Sequence, residues 1–244
     1  SQFTSVDDGA GIVRSYTSIG KCYIALGSLE QAESILLQAG EKARGEDPSL
    51  LFDASITLGE LYLARGRPQE ALSTLQEASH AAPGSRDPAR AALLNHDLGT
   101  AEKNLGNSAK ALEYFALSLN ANLAGKLFAE AAADYYMIAS VHSRDGKYDE
   151  ALRNAARALA YDKQVENSPG IAKDLSALGI IAAKKGDHAA AFDYYRRSYL
   201  VATTLGFRED MRKALAGLVA AADALGRTED AAAYRKALAD LGTS

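Results

Sequence analysis

The chain has 244 residues, of which 48% are hydrophobic and 24% charged, and its formal net charge is −4. The apolar fraction is rich in Ala and Leu, and there are only 5 prolines and no tryptophan, so the composition predicts an all-α protein. The small acidic excess and the absence of any run of Lys and Arg argue against a nucleic-acid partner. The apolar stretches are far shorter than the ~18–20 residues that a membrane span needs, so we expect no span within this chain.

A glycine recurs at steps of 39 or 40 residues along the whole chain, and an alanine follows each one five residues later. The glycines are Gly27, Gly66, Gly106, Gly146, Gly186 and Gly226, and the alanines are Ala32, Ala71, Ala111, Ala151, Ala191 and Ala231. This period predicts one structural unit copied six times and stacked, because such a unit cannot bury its apolar face alone.

Apolar residues at helical spacing on both sides of each glycine predict a helix, a turn and a second helix in every copy. The glycine falls where the first helix must end, in a left-handed conformation that costs another residue roughly 1 kcal/mol. Asp47-Pro48, Asp87-Pro88 and Ser168-Pro169 are typical of helix starts, with an N-cap oxygen followed by proline. Pro83 marks the end of a second helix.

A second series of small residues lies seven positions before the turn glycines, inside the first helices. Its members are Gly20, Gly59, Gly99, Ala139 and Gly179. Because a mid-helix glycine costs about 1 kcal/mol relative to alanine, its repetition predicts a partner helix that passes too close for a side chain. The alanine after each turn is the expected residue on the opposite side of this crossing.

The period sets the expected domain organisation. Residues 1–8 are predicted to be a flexible lead, and residues 9–244 a single repeat domain. The repeats are expected at about residues 9–46, 47–85, 86–124, 125–165, 166–206 and 207–244.

These positions resemble the tetratricopeptide repeat. The first copy carries its pattern as Ile19-Gly20, Tyr23, Gly27, Ala32, Leu36 and Ala39, and the second as Leu58-Gly59, Tyr62, Gly66, Ala71, Leu75, Ala78 and Pro83. The 40-residue period resembles the longer-repeat branch of the family. The resemblance implies an all-α solenoid of about six helix-turn-helix units forming a right-handed superhelix. Glu102 and His142 stand where the family has an aromatic residue, and for Glu102 we expect only partial exposure.

In the resembled fold the first helices line a concave groove, and positions facing away from the second helices become candidates for partner binding. The candidates are Lys21, Glu60, His96, Thr100, Lys103, Tyr136, Ser140, Arg144, Lys173, Ile180 and Lys184. They offer donors for peptide carbonyls and acidic side chains, with Tyr136 as an aromatic anchor. The alternative is an ordinary solvated helix face.

Other site types find no support in the sequence. Family members that hold a C-terminal carboxylate use Lys, Asn and Arg at positions occupied here by Thr17, Lys21, Thr57, Leu93 and Asp97, so we expect no chaperone-tail clamp. The four histidines lie in different repeats without a second ligand at one-turn spacing, which predicts no metal site. No catalytic residue and no cofactor are expected. The single cysteine, Cys22, is predicted to be a buried small hydrophobe.

The sequence therefore favours a non-catalytic scaffold that binds a peptide or a segment of a partner protein in the groove. The alternative is a regulatory or sensor domain that binds a signalling peptide or small ligand and controls an attached module. The Ala-rich composition indicates a bacterial protein of the cytoplasm or of the cell envelope, the latter after removal of a signal peptide.

Overall fold

A computed structural model describes residues 8–81 and 87–243, and in these ranges the chain forms twelve α-helices and no strand. The predicted all-α class and the six helix pairs are confirmed. The helices are α1 Gly9–Ala25, α2 Leu29–Ala43, α3 Pro48–Ala64, α4 Pro68–Ala81, α5 Pro88–Asn104, α6 Ser108–Ala124, α7 Phe128–Arg144, α8 Tyr148–Gln164, α9 Ser168–Lys185, α10 His188–Leu205, α11 Arg208–Ala224 and α12 Thr228–Thr243. None of these helices is long and apolar enough to cross a membrane.

The helices belong to two compact units, unit 1 up to residue 121 and unit 2 from residue 122. In unit 1 each of the first four helices contacts the next, and the first helices of its repeats also touch, α1 with α3 and α3 with α5. Unit 2 repeats this arrangement, with α7 contacting α9 and α9 contacting α11. Each unit therefore presents a face made by first helices, which we call the inner face of that unit.

The turn glycines adopt the conformation that the sequence predicted. All six have positive φ, from +67° at Gly66 to +90° at Gly186. At the first turn the N–H of Gly27 donates to the Ile24 carbonyl and the N–H of Ser28 to the Tyr23 carbonyl. This is the Schellman arrangement, in which a left-handed residue lets the chain satisfy the last carbonyls of the helix.

The same turn also closes three of the second helices, α6, α8 and α10, without a glycine in two cases. Lys126 and Glu166 have φ of 58° and 57°, and Gly206, at the equivalent position of the next repeat, has 70°. The N–H of Leu127 donates to the Asn122 carbonyl, as in the glycine turns. The sequence pattern missed these turns because the required conformation is carried there by ordinary residues.

Lys126→Gly is expected to stabilise unit 2 by about 1 kcal/mol, because glycine removes the cost of a side chain in the left-handed region. Gly206→Lys is the matched reverse change and should destabilise it by a similar amount. Urea denaturation of both variants, followed by circular dichroism, measures the two effects. Equal midpoints for both variants and the parent would contradict the prediction.

The helix starts agree with the sequence at two of the three Pro pairs. Asp47 accepts a hydrogen bond from the Ser49 N–H and Asp87 from the Ala89 N–H, with proline opening each helix. The third expectation was wrong by one residue: Ser168 is already helical, and Asn167 is the N-cap, accepting from the Gly170 N–H. Pro83 and residues 1–7 of the expected lead lie outside the described residues.

The predicted close helix crossing is confirmed, but the opposing residue differs from the one expected. A Cβ at Gly20, Gly59, Gly99 or Gly179 would lie 2.5–2.8 Å from a side-chain atom of the second helix. The atoms belong to Leu36, Leu75, Phe115 and Tyr195, one turn beyond the alanine that the sequence suggested. In the fourth repeat, where Ala139 replaces glycine, the equivalent residue is Ala155, which is small and fully buried.

Two residues are placed differently from the prediction. Glu102 is not partly exposed but buried, with 2% of its surface accessible. Its carboxylate accepts a 2.6 Å hydrogen bond from the Asn107 amide, and the Lys110 ammonium lies 3.5 Å away, so a polar clamp across the α5–α6 turn replaces the usual aromatic residue.

Cys22 is exposed rather than buried. The equivalent residues of the other repeats are all buried: Leu61, Ala101, Val141, Ile181 and Ala221. Leu61, Ile181 and Ala221 belong to hydrophobic clusters that include residues of the preceding repeat, whereas no repeat precedes α1 within the described residues.

Candidate functional site

The inner face of unit 1 brings predicted binding residues from three repeats together. Lys21 on α1 and His96 on α5 both act electrostatically on the carboxylate of Glu60 on α3. The surrounding helices exclude part of its water, and this desolvation raises the pKa of Glu60 above its usual range. Lys21 and Glu60 are exposed, and His96 is half-buried.

The remaining candidates of unit 1, Thr100 and Lys103, lie on α5 and are half-buried. The Thr100 hydroxyl donates to the carbonyl of His96, 3.0 Å away and one turn earlier. Its proton is therefore used within its own helix, and Thr100 offers a partner an acceptor oxygen. Thr17 and Thr57, at two of the clamp positions, are buried and donate to their own helices in the same way.

Asp97 is a polar residue of this region that the list of binding candidates missed. Only 6% of its surface is exposed, and its Oδ2 atom has no hydrogen-bond partner. Burial, followed by the nearby Glu60 carboxylate, raises the pKa of Asp97 to about 7. The equivalent residues Thr57, Met137 and Ala177 carry no charge, and that contrast was the only signal available in the sequence.

The inner face of unit 2 joins Tyr136 and Lys173, two predicted binding residues from neighbouring repeats. The Lys173 ammonium lies 4.3 Å from the centre of the Tyr136 ring, within the range of a cation–π contact. Burial, and then the Asp174 carboxylate, raise the pKa of the Tyr136 phenol. The tyrosine is half-buried, so its ring is held in place by the fold while part of it stays accessible.

The rest of this face is cationic and partly apolar. Arg144, Lys173 and Lys184 are exposed, Ser140 is half-buried, and 45% of the Ile180 surface is accessible. Of these side chains, Lys173 contacts the aromatic ring, Arg144 lies further along α7, and Ile180 and Lys184 lie further along α9. Such a surface can hold an extended chain with carboxylate side chains.

Beneath the inner face of unit 2, two buried polar pairs recur at the 40-residue period. The Asn122 amide donates to the Asp134 carboxylate at 2.8 Å, and in the next repeat Asp162 faces Asp174. All four residues are at most 5% exposed. Each pair joins the end of a second helix to the following first helix, so these groups hold neighbouring repeats together and are not accessible to a ligand.

The two carboxyl groups of the second pair cannot both ionise easily. Burial, the negative charge of Asp162 and the hydrogen bond that protonated Asp174 donates to Asp162 raise the pKa of Asp174 to about 8. The Asn167 amide donates to Asp162 Oδ1 at 2.9 Å, which favours placing the negative charge on Asp162. One proton is therefore held between the two side chains at neutral pH.

Among residues 8–81 and 87–243, no group of three or more His, Cys, Asp and Glu side chains is placed to hold a metal ion. The expectation that the protein is not an enzyme stays a prediction.

Comparison with protein families finds the tetratricopeptide repeat in three separate stretches, residues 13–39, 56–89 and 129–204. The chain belongs to the tetratricopeptide-repeat family. Proteins of this family are generally non-catalytic interaction scaffolds. The comparison with curated proteins found no match.

Solved structures share the tetratricopeptide-repeat fold at low sequence identity. BtubC (BKLC) from P. vanneervenii has a TM-score of 0.77 at 20% identity, over 88% of this chain and 91% of that chain. A signal transduction ATPase with a tetratricopeptide-repeat sensor from Pyrococcus horikoshii has a TM-score of 0.80 at 16% identity, over 97% of this chain and 37% of that chain. A Rap protein complexed with Competence and Sporulation Factor has a TM-score of 0.74 at 15% identity, over 95% of this chain and 75% of that chain. These likenesses show the tetratricopeptide-repeat solenoid.

Proposed function

We propose that this tetratricopeptide-repeat protein is an interaction scaffold that binds an extended, acidic segment of a partner protein on the inner face of unit 2. The observation that carries the proposal is the contact between Tyr136 and Lys173, at 4.3 Å. It links two helices of successive repeats and fixes an aromatic ring beside a positive charge. Stacked rigid helices lose little conformational freedom on binding, which favours affinity.

The predicted residues other than Ser140 each have a part in this proposal. Tyr136 offers an aromatic surface for an apolar side chain of the partner. Lys173, Lys184 and Arg144 attract carboxylates, and the arginine can also bind them in a bidentate manner. Ile180 supplies exposed apolar area. The inner face of unit 1, with Lys21, Glu60, His96, Thr100 and Lys103, is proposed to bind further parts of a partner.

The double variant Tyr136→Ala/Arg144→Ala is expected to lower partner recovery in pulldowns from the source cell roughly tenfold, the usual effect of removing an aromatic or arginine anchor. Arg153→Ala/Arg196→Ala is the matched control, because it removes two exposed cations from the second helices α8 and α10. Cross-linking through Lys173 or Lys184 and mass spectrometry should identify an acidic segment. Equal recovery of every partner by the Tyr136/Arg144 variant and the parent would refute the assignment.

The alternative is a sensor domain that binds a signalling peptide or small ligand and controls an attached module. The observation in its favour is that the similar structures include a tetratricopeptide-repeat sensor and a Rap protein complexed with Competence and Sporulation Factor. Scaffold and sensor differ in what the pulldown recovers: a folded partner for the scaffold, and a free short peptide or small molecule for the sensor.

A further inference from the structure

Glu60 and Asp97 place two carboxyl groups near each other on adjacent helices of unit 1. Glu60 is exposed on the inner face of α3, and Asp97 lies on α5, close enough for the Glu60 charge to act on it. The two helices are in direct contact. Their positions place an acidic spot on a face that otherwise carries Lys21 and His96.

Asp97 is also buried, and one of its carboxyl oxygens lacks a hydrogen-bond partner. A buried polar atom without a partner costs about 1–3 kcal/mol, and native structures rarely keep one without a reason. Asp97 Oδ2 is such an atom, in a residue of which only 6% of the surface is exposed. The unused acceptor lies next to two inner-face positions, His96 on the same helix and Glu60 on the next.

We propose that Glu60 and Asp97 together bind the guanidinium group of an arginine side chain from a partner protein. The inference rests on the proposed function, because it also places a partner protein on an inner face. It differs in that unit 1 binds a positively charged side chain, whereas unit 2 is proposed to bind negatively charged ones. A guanidinium is planar and weakly hydrated, presents several donors at once, and is therefore suited to a largely buried carboxyl group. An ammonium group would lose more hydration on entering.

Proton release accompanies this binding. Because the pKa of Asp97 is raised to about 7, much of the carboxyl group is protonated at neutral pH and must ionise to receive the cation. The charged groups that act on it are Glu60 of α3 and His96 of α5, and Lys21 of α1 acts on Glu60. Affinity rises with pH, by roughly tenfold from pH 6 to pH 8, because the competent ionised fraction rises by that factor.

The test uses N-acetyl-arginine-N-methylamide as the probe and the whole chain labelled with ¹⁵N. Titration at pH 8 is expected to shift amide signals of α3 and α5, whereas the citrulline analogue, which has the same shape but no charge, should not. Asp97→Asn should weaken binding at least fivefold and remove the dependence on pH. Asp53→Asn, which removes a negative charge from an exposed position of the same helix α3, should leave binding nearly unchanged.

Equal shifts with the citrulline analogue, unchanged binding to Asp97→Asn, or no shifts in α3 and α5 would each overturn the proposal. Asp97→Asn preserves the shape of the side chain, and its circular dichroism spectrum verifies folding before the titration. The probe needs neither a partner protein nor Tyr136. A failure here therefore leaves the pulldown prediction for unit 2 standing, and a failure of the pulldown leaves this one standing.

Discussion

Asp162→Asn is expected to stabilise unit 2 at pH 8–9 by about 1–3 kcal/mol, because it removes a like-charge pair from a buried site. The introduced amide can donate to Asp174 while its carbonyl still accepts from Asn167. This recreates the pair that Asn122 and Asp134 form one repeat earlier, at 2.8 Å. In the parent, the Asp162–Asp174 pair avoids two negative charges only by keeping a proton, which it loses as the pH rises.

The direction of the pH effect follows from the raised pKa of Asp174, about 8 in the folded protein against 3.8 for the free group. Between these two values the folded state holds a proton that the unfolded state has released, so the stability of the parent falls as pH rises. The charged groups acting on Asp174 are Asp162 and Lys173. In the Asp162→Asn variant the ionised carboxylate of Asp174 accepts a hydrogen bond. The free energy of unfolding therefore depends less steeply on pH between these two pKa values.

Native-state hydrogen exchange of the α8 and α9 amides at pH 5, 7 and 9 is the appropriate measurement, because repeat proteins can open locally. Asn122→Asp is the matched reverse variant: it creates a second acid pair with Asp134 and should add a new loss of stability with rising pH, located in α6 and α7. If Asp162→Asn kept the pH slope of the parent, the shared-proton interpretation would be wrong.

Gly179→Ala is expected to destabilise unit 2 by about 1–3 kcal/mol, the usual cost of overpacking a tight contact. A Cβ at this position would lie 2.8 Å from the ring of Tyr195. The ring cannot retreat, because Gly217 of α11 approaches it from another helix, and a Cβ there would lie only 2.6 Å away. The tyrosine is 7% exposed and belongs to the core of unit 2 with Leu215 and Leu218.

Thermal and urea denaturation of Gly179→Ala and three further variants separates crowding from helix propensity. Gly40→Ala is the control, because that helical glycine has open space around its Cβ position, and alanine there should stabilise by up to ~1 kcal/mol. Tyr195→Ala alone should cost about 3–5 kcal/mol. Adding Gly179→Ala to Tyr195→Ala should cost nothing further, since the pair then matches Ala139 and Ala155. A Gly179→Ala protein as stable as the parent would contradict the crowding argument.

The sequence predicted features whose cause is local. The six turn glycines were identifiable because a left-handed residue with no side chain leaves a visible and periodic residue type. Lys126 and Glu166 have the same conformation, but nothing in their residue type reveals it. The close crossing at Gly179 was also predictable. Which residue opposes it, Tyr195, depends on how the second helix packs against the first.

The candidate site was predictable to a lesser degree. The resemblance to the tetratricopeptide repeat, together with helical spacing, gave the first-helix positions, and the structure brings Tyr136 and Lys173 into contact. Buried acids were not predictable, because Asp and Glu usually lie at the surface and only the packing of neighbouring helices shows otherwise. Glu102, Asp97 and Asp174 all belong to this class, and each has its polar atoms placed by residues distant in the sequence or across a turn.

The exposure of Cys22 gives the protein a practical property. It is the only cysteine in the sequence, and it is accessible, so a maleimide dye will attach at a single known position without any engineered change. Its neighbour in the chain is Lys21 of the unit 1 inner face. An environment-sensitive fluorophore at this thiol would thus give an optical signal for ligands arriving nearby, in a protein whose sequence is unchanged and at nanomolar concentration.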